Sequence, residues 1–301
     1  MLVFIVVECP TSINFNHRIE IQGNEYLCGI TKLQKEIYLL CQAVPRKNVI
    51  RVFKDQSPFL PQKEIELKDV KAPYDIGSSV MKNCLYICDN KERCVWKTTK
   101  ETNDQHNTIK WLTTDYQPVT LSVSSDGQLV MINISAFRLM IYGSDAELIR
   151  WVRLPLDIMH PCHAVETSMG NFVVIHPEEN VTGNIGRIGP LDMVFTELNR
   201  DGHTVMRRSV SLYEPRQQVF LDFCHSLDSD DRVFVADTEN DSVILLDSDL
   251  KWNRILCSIK EEKKDGRKRW PRRLCYDEEI KQLIVGRPFG DGVNVYSLSR
   301  N

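Results

Sequence analysis

A strand–turn–strand unit that recurs along the chain limits the possible folds more than any other feature. Residues 85–89 lead, six residues after Asp89, into Val95 and Trp96, and residues 233–237 lead, at the same distance after Asp237, into residues 243–245. Both halves of each unit are rich in apolar and β-branched residues, as strands are, and the gap between them is polar, which suits a short hairpin loop. One such unit cannot bury its apolar faces alone, so the copies must stack.

Four weaker copies bring the number of units to six. Their first strands end at equivalent positions: Cys41, Asp89, Asn133, His176, Asp237 and Arg287. Neighbouring copies are 43 to 61 residues apart, and the longest spacing contains an insertion at about 177–192. A short strand precedes most units and another follows, with Asp, Ser and Gly at the turns between them. These periods predict an all-β fold, a six-bladed β-propeller of four-stranded antiparallel blades.

The two ends of the chain complement each other. The sixth unit lacks an outer strand before the chain stops at Asn301, and a spare strand at residues 17–21 precedes the first unit. Pairing the first strand with the last would close the ring and remove its exposed edges. We therefore expect one propeller over residues 17–301, closed by the N-terminal strand, after a leader or disordered segment at 1–16. A β-sandwich with chance internal similarity is the alternative.

The repeats resemble NHL-type repeats, in which a strand ending in Val-Ala-Asp, a polar loop containing Asn and a second apolar strand follow one another. Residues 233–247 match this phrase best, and residues 85–96 come next. The chain is similar to the C-terminal propeller of tripartite-motif NHL proteins and to uncharacterised invertebrate NHL-like proteins. In the tripartite-motif relatives the propeller recognises RNA or a protein, which implies a recognition function here. The resemblance is specific for the fold and unspecific for activity, because propellers host many functions.

Composition indicates the cellular compartment of the protein and does not indicate its function. The net charge of −3 and the pI near 6.2 imply no general attraction to nucleic acid or to anionic membranes. The ten cysteines contain no Cys-x-x-Cys pair, which favours free thiols in a reducing compartment over a zinc site or a disulfide framework. We expect a cytoplasmic monomer that does not bind membranes. A signal peptide in the apolar residues 2–7 is the alternative to a strand or disordered leader.

The strongest local signal is residues 263–273, which hold seven basic residues, one acid and a tryptophan. The topology places this segment on the link between blades five and six, on the same face as the loops between second and third strands. Basic side chains beside an aromatic ring suit phosphates and stacked bases, and in some NHL relatives single-stranded RNA binds this face. The candidate ligand-binding residues are Arg46, Lys47, Lys263, Lys264, Arg267, Lys268, Arg269, Trp270, Arg272 and Arg273. A solvated loop that maintains solubility is the alternative.

No recognisable catalytic or metal-binding motif is present. His160, Cys162 and His163 stand where an inner strand begins, and neighbouring residues of a strand point to opposite faces, so they cannot converge on one ion. The acidic and histidine candidates near the channel form no recognisable set: His163, Glu166, His225 and Asp277. We therefore predict no cofactor, no metal, no catalytic residue and a protein that is not an enzyme.

Three functions remain at this point. The first is a recognition or scaffold module that binds a protein or peptide through the loop-rich face, where the insertion at 177–190 also lies. The second is single-stranded RNA binding through the basic segment. The third is a channel-metal hydrolase of the lactonase type.

Overall fold

Every described strand belongs to one of six four-stranded sheets. The computed structural model describes residues 12–21, 25–43, 47–55, 59–101, 105–158, 160–177, 193–210, 225–237, 241–258, 271–287 and 292–299. These residues form 24 strands and no helix. Within them, no helix is therefore long and apolar enough to cross a membrane.

The first three blades follow one another along the chain, each running from the channel outwards. Blade I contains β2 (Tyr26–Leu33), β3 (Glu36–Ala43), β4 (Lys47–Lys54) and β5 (Pro61–Glu66). Blade II contains β6 (Pro73–Ser79), β7 (Cys84–Asp89), β8 (Cys94–Lys100) and β9 (His106–Thr113). Blade III contains β10 (Leu121–Val123), β11 (Leu129–Asn133), β12 (Arg138–Tyr142) and β13 (Leu148–Arg153).

The last three blades complete the ring. Blade IV contains β14 (His163–Glu166), β15 (Phe172–Pro177), β16 (Met193–Leu198) and β17 (Thr204–Val210). Blade V contains β18 (His225–Leu227), β19 (Val233–Asp237), β20 (Ser242–Leu246) and β21 (Trp252–Ser258). Blade VI contains β22 (Arg273–Asp277), β23 (Gln282–Gly286), β24 (Val293–Ser299) and, as its outer strand, β1 (Ser12–Ile19). The predicted six-bladed propeller is thus confirmed.

The N-terminal strand closes the ring as predicted. β1 pairs antiparallel with β24 from Ser12 opposite Ser299 to Ile19 opposite Val293, with a register shift between Phe15 and His17. The inner strands also contact one another in sequence around the channel, including β22 against β2. β1 begins at Ser12 rather than at the predicted residue 17, and in its first half Ile13 and Phe15 alternate with polar residues as in a strand.

Apolar packing between the blades holds the ring together. Among the described residues there are six buried apolar clusters, and each spans the interface between two neighbouring blades. Inner strands approach so closely that a Cβ on Gly77 of β6 would stand 2.4 Å from Cδ1 of Leu121 on β10. Since no blade buries both faces by itself, the stability of each depends on its neighbours.

The aspartate that ends the second strand of blade II is a structural residue. The Asp89 carboxylate is buried and accepts hydrogen bonds from the backbone N–H groups of Lys71, Ala72 and Glu92, at 2.7 to 3.1 Å. The indole N–H of Trp96 lies 3.4 Å from the same carboxylate. Asp89 therefore ties its own hairpin to the link from blade I.

The ring has two faces that carry different loops. The upper face carries the hairpins between second and third strands, such as residues 90–93, and the links between blades, such as residues 67–72. The lower face carries the turns between first and second strands, such as residues 80–83 and 278–281. Neighbouring lower turns are bonded to each other: the Ser168 hydroxyl donates to Asp231 at 2.6 Å.

The contribution of β1 to the stability of the closed ring can be tested by mutation. Ile19 is 2% exposed and belongs to the cluster between blades VI and I. Replacing it with alanine should lower the free energy of unfolding by about 3 kcal/mol, since a buried aliphatic side chain is truncated in a closed core. Urea denaturation measures the change. Asn14→Ala, at an exposed position of the same strand, should change stability by less than about 0.5 kcal/mol, and equal effects of the two variants would refute a closing role for β1.

Candidate functional site

The inner strands surround a cavity of 540 Å³ in the central channel. Its described lining comes from β2, β6, β10, β14 and β22 and reaches the lower face at residues such as Gln34, Val80 and Glu278. Clefts of this size accommodate small organic ligands. The channel is therefore the candidate site, and its lining mixes polar and charged residues with aliphatic ones.

Arg273 connects three blades at the upper end of the cavity. Its Nε donates to the carbonyl of Cys28 at 2.6 Å, and its Nη2 donates to the carbonyl of Tyr74 at 3.1 Å. Its guanidinium also lies 3.5 Å from Oδ1 of Asp75, whose Oδ2 accepts the backbone N–H of Leu121 at 3.1 Å. These bonds tie the inner strands of blades VI, I, II and III, so Arg273 and Asp75 hold the channel wall.

His163 is a neutral, buried histidine of the same wall. Burial, followed by the positive charge of Arg273, lowers the pKa of His163 to about 4, and the ring is hydrogen bonded to the backbone of Leu121. At neutral pH the ring therefore carries no charge. His160, three residues earlier, is exposed, while the Cys162 thiol lies 3.4 Å from the carbonyl of His160. Among the described residues, no group of three or more His, Cys, Asp or Glu side chains is arranged to hold a metal ion.

A buried ion triad stands near the lower end of the cavity. Lys32, at the end of β2, pairs with Asp277 at the end of β22, and its Nζ lies 3.1 Å from Oδ2 of Asp55. Burial acts to lower the pKa of Lys32, but the hydrogen bonds and charges of Asp277 and Asp55 more than offset it and raise that pKa above its ordinary value. The Lys32 charge is thus fully engaged by protein carboxylates.

Glu166 is the channel acid without a counterion. It ends β14 and is partly buried, and no described residue forms an ion pair or hydrogen bond with its carboxylate. Burial, followed by the negative charge of Asp126, raises the pKa of Glu166 above its ordinary value, while Arg200 and Arg150 act to lower it. A carboxyl with a raised pKa in a cleft is suited to binding a cation or to exchanging a proton.

Three thiols on the second, third and outer strands of the blades are not poised as nucleophiles. Cys88 is buried, and burial, followed by the charge of Asp75, raises its pKa well above the ordinary value. Burial likewise raises the pKa of Cys94 and of Cys257 to about 11. Because the thiolate is the reactive form, these cysteines are structural at neutral pH.

The structure separates the basic residues that the sequence grouped together. Arg46 and residues 263–270 lie outside the described residues. Arg272 is buried with its guanidinium 4.5 Å from the centre of the Tyr26 ring, and burial, followed by the charge of Arg273, lowers its pKa to about 9. Arg272 and Arg273 thus stand inside the propeller and are not available on its surface. Lys47 is exposed on the upper face and pairs with Glu64.

Sequence reasoning named Asp277, His163 and Glu166 as residues near the channel but did not find their neighbours. No local pattern in the sequence marks Lys32, Asp55 or Asp75. Lys32 meets Asp277, and Asp75 meets Arg273, only when blade VI closes the ring against the first blades. The side chain of His225, the fourth channel candidate, lies outside the description.

Solved structures of lyases share this fold. A streptogramin B lyase structure has a TM-score of 0.63 at 10% identity and covers 97% of this chain and 100% of its own. A catalytically inactive histidine-to-alanine variant of virginiamycin B lyase from Staphylococcus aureus, with quinupristin, has a TM-score of 0.62 at 10% identity and covers 95% and 100%. The selenomethionine form of that enzyme has a TM-score of 0.56 at 11% identity, with the same coverage. No family model and no curated protein matches the chain.

These comparisons show the propeller fold, and they correct one prediction. The expectation of a protein that is not an enzyme was wrong, because the lyases show that a propeller of this shape supports catalysis. The reasoning failed because it required a recognisable motif, whereas channel residues come from separate blades and form no motif in the sequence. The likeness to NHL-type repeats and tripartite-motif proteins stays a prediction.

His163 predicts a specific pH dependence of stability. Above pH 6.5 the histidine is neutral in both states; between pH 6.5 and about 4 the unfolded chain binds a proton that the folded chain does not, so stability falls as the pH falls. From pH 7.5 to 4.5 this group should lower the free energy of unfolding by about 2 to 3 kcal/mol. Denaturant titrations of wild type and His163→Gln at both pH values measure the difference between their pH-dependent losses. Parallel losses in the two proteins would show that His163 is not the titrating group.

Proposed function

We propose that the protein binds a small organic cation in its central channel, with Glu166 as the counterion. The observation that supports this most is the charge balance of the cavity: among the described residues, its lining contains five acids and two bases. Both bases already face acids, Arg273 beside Asp75 and Lys32 beside Asp277. The uncompensated charge therefore falls on Glu166 and on the rim acids Glu278 and Glu279.

The rim acids Glu278 and Glu279 contribute little to the attraction of the cavity for a cation. Glu278 pairs with Lys281 and accepts the backbone N–H of Ser229 at 3.1 Å, and Glu279 is exposed to solvent. Charges at an exposed rim are screened by solvent and salt, whereas a partly buried carboxylate is screened less. A positively charged group of a ligand is thus stabilised most beside Glu166.

Part of the lining is aliphatic, which suits a ligand with an apolar body. Ile30, Ile76, Leu121, Val123 and Val165 line the same cavity as Glu166. A ligand with an ammonium group and an alkyl or ring portion satisfies both parts of the site, since apolar contact supplies affinity and the charge supplies orientation. Hydrogen bonds between the inner strands and between the lower turns fix the shape of this lining before a ligand binds.

Binding can be tested with primary alkylammonium ions from methylammonium to hexylammonium. We expect the longer members to raise the melting temperature of the protein, and alcohols of equal chain length to do so far less, because the alcohols lack the charge. Calorimetric titration should show about tenfold weaker binding by Glu166→Gln. Affinity should also fall as the pH drops through the raised pKa of Glu166, since the neutral acid no longer attracts a cation.

Glu20→Gln supplies the matched control, because Glu20 is exposed and lies outside the channel. It removes the same charge and should bind the ammonium ions as wild type does. Equal affinity of wild type and Glu166→Gln, or equal binding of ammonium ions and alcohols, would contradict the proposal.

A second candidate is an elimination reaction in the same cavity, which the fold shared with lyases favours. Glu166, with its raised pKa, would accept a proton from a carbon of the substrate. The electron pair of that C–H bond would form a new double bond, and the leaving group would depart with its bonding electrons and take a proton from water. Lys32 is engaged by Asp277 and Asp55, so we assign it a positioning role.

Quinupristin, the compound present with one of the lyase structures, is the first probe of this candidate. Mass spectrometry would detect bond cleavage, and ultraviolet absorbance a new double bond. Cleavage by wild type that is lost in Glu166→Gln and kept in Glu20→Gln would support the candidate. Cleavage that survives Glu166→Gln would refute the assigned base, and no cleavage by wild type would refute this reaction for that compound while leaving cation binding to its own test. The predicted protein, peptide or RNA partners stay predictions.

A further inference from the structure

A second cavity lies on the upper face, away from the channel. It has a volume of 630 Å³ and stands at the junction of blades I and II. Its lining comes from the ends of β3, β4 and β5, from the link at 67–72 and from the hairpin at 90–93. It shares no residue with the channel cavity, so its chemistry is independent of the function proposed above.

Four lysines surround this cavity, and one acid accompanies them. Lys47, Lys68, Lys71 and Lys91 line it together with Glu66. Lys47 is held by Glu64, which lies outside the cavity lining. No described carboxylate forms an ion pair with the other three ammonium groups, and all three are exposed on the same side of the ring. Like charges gathered around a cleft without counterions raise the local concentration of anions.

The wall that carries these lysines is rigidly built. The backbone N–H of Leu67 donates to the carbonyl of Asn48 at 2.9 Å, and Nδ2 of Asn48 donates to the carbonyl of Val70 at 2.7 Å. The next residue of the link, Lys71, donates its own N–H to buried Asp89. These hydrogen bonds hold the link between two blades. The Asp89 carboxylate accepts its hydrogen bonds from N–H groups and is not presented to the cavity.

We propose that this cavity, hereafter the lysine cavity, binds a small organic phosphate with two or more negative charges. Lysine ammonium groups bind phosphate as point charges and do not need the flat, bidentate geometry of arginine. Lys68 and Lys71 on the link and Lys91 on the hairpin can contact different oxygens of one phosphate or diphosphate group. The volume suits a ligand of sugar-phosphate or nucleotide size.

The concave shape favours a small ligand over a polymer or a lipid surface. A single strand of RNA needs a groove that follows several phosphates and aromatic side chains on which its bases stack, and the described lining of this cavity contains no aromatic residue. An anionic membrane needs a broad, flat basic patch, whereas Glu66 and the Glu64–Lys47 pair limit the basic area here. The geometry thus points to a discrete anion.

Calorimetric titration with pyrophosphate and with ADP tests the proposal, at constant ionic strength maintained with sodium chloride. We expect both to bind wild type and to bind the double variant Lys68→Gln/Lys91→Gln about tenfold more weakly. The matched control is Lys35→Gln/Lys82→Gln, which removes two exposed lysines from the lower face and changes the net charge equally. Melting temperatures of both variants verify that they are folded.

The outcomes are distinguishable. Binding that is lost in the upper-face variant and kept in the control assigns the site to the lysine cavity. Absence of binding by wild type, or equal weakening in both variants, overturns the proposal. A 15-nucleotide single-stranded RNA that binds wild type when pyrophosphate and ADP do not would also overturn it and would identify the surface as a polymer site.

Discussion

The pairing of β1 with β24 is the contact on which the rest of the structure depends. Each blade buries its apolar residues against two neighbours, so an open ring would expose a row of them on both blades beside the gap. The seven paired residues of β1 complete blade VI and bring Ile19 into the cluster shared with blade I. Because this contact joins residues at opposite ends of the chain, it carries a high loop-closure cost and forms only when the intervening blades stack.

Closure also creates the channel chemistry. Arg273 follows directly on the link into blade VI, yet its donors reach carbonyls of blades I and II. Asp75 continues this connection to blade III through the N–H of Leu121. A buried charge pair of this kind gains little stability by itself, because desolvation offsets most of the attraction. Its effect is on specificity, since only one arrangement of the four blades satisfies all of these groups.

The sequence predicted the fold well and the site poorly, for a physical reason. Second and third strands are long and buried on both faces, so β7 and β19 repeat a visible apolar phrase. Inner strands differ in length, from eight residues in β2 to three in β10, and the residues with which they line the channel form no repeated phrase. Lys32 and Asp277 are 245 residues apart and meet only through closure, so no local pattern marks them. Arg272 and Arg273 were grouped with a basic surface segment, although they belong to the interior.

The near-neutral composition conceals a difference in charge between the two cavities. The net charge of −3 averages an acidic channel that reaches the lower face and a lysine cavity on the upper face. Within each region, groups of the opposite charge are already engaged by the protein. Lys32 forms ion pairs with two aspartates, and Asp89 accepts hydrogen bonds from backbone N–H groups. What remains for a ligand is therefore a carboxylate in one place and ammonium groups in the other. Since the two regions share no lining residue, a substitution in one can alter its binding without changing the charge of the other.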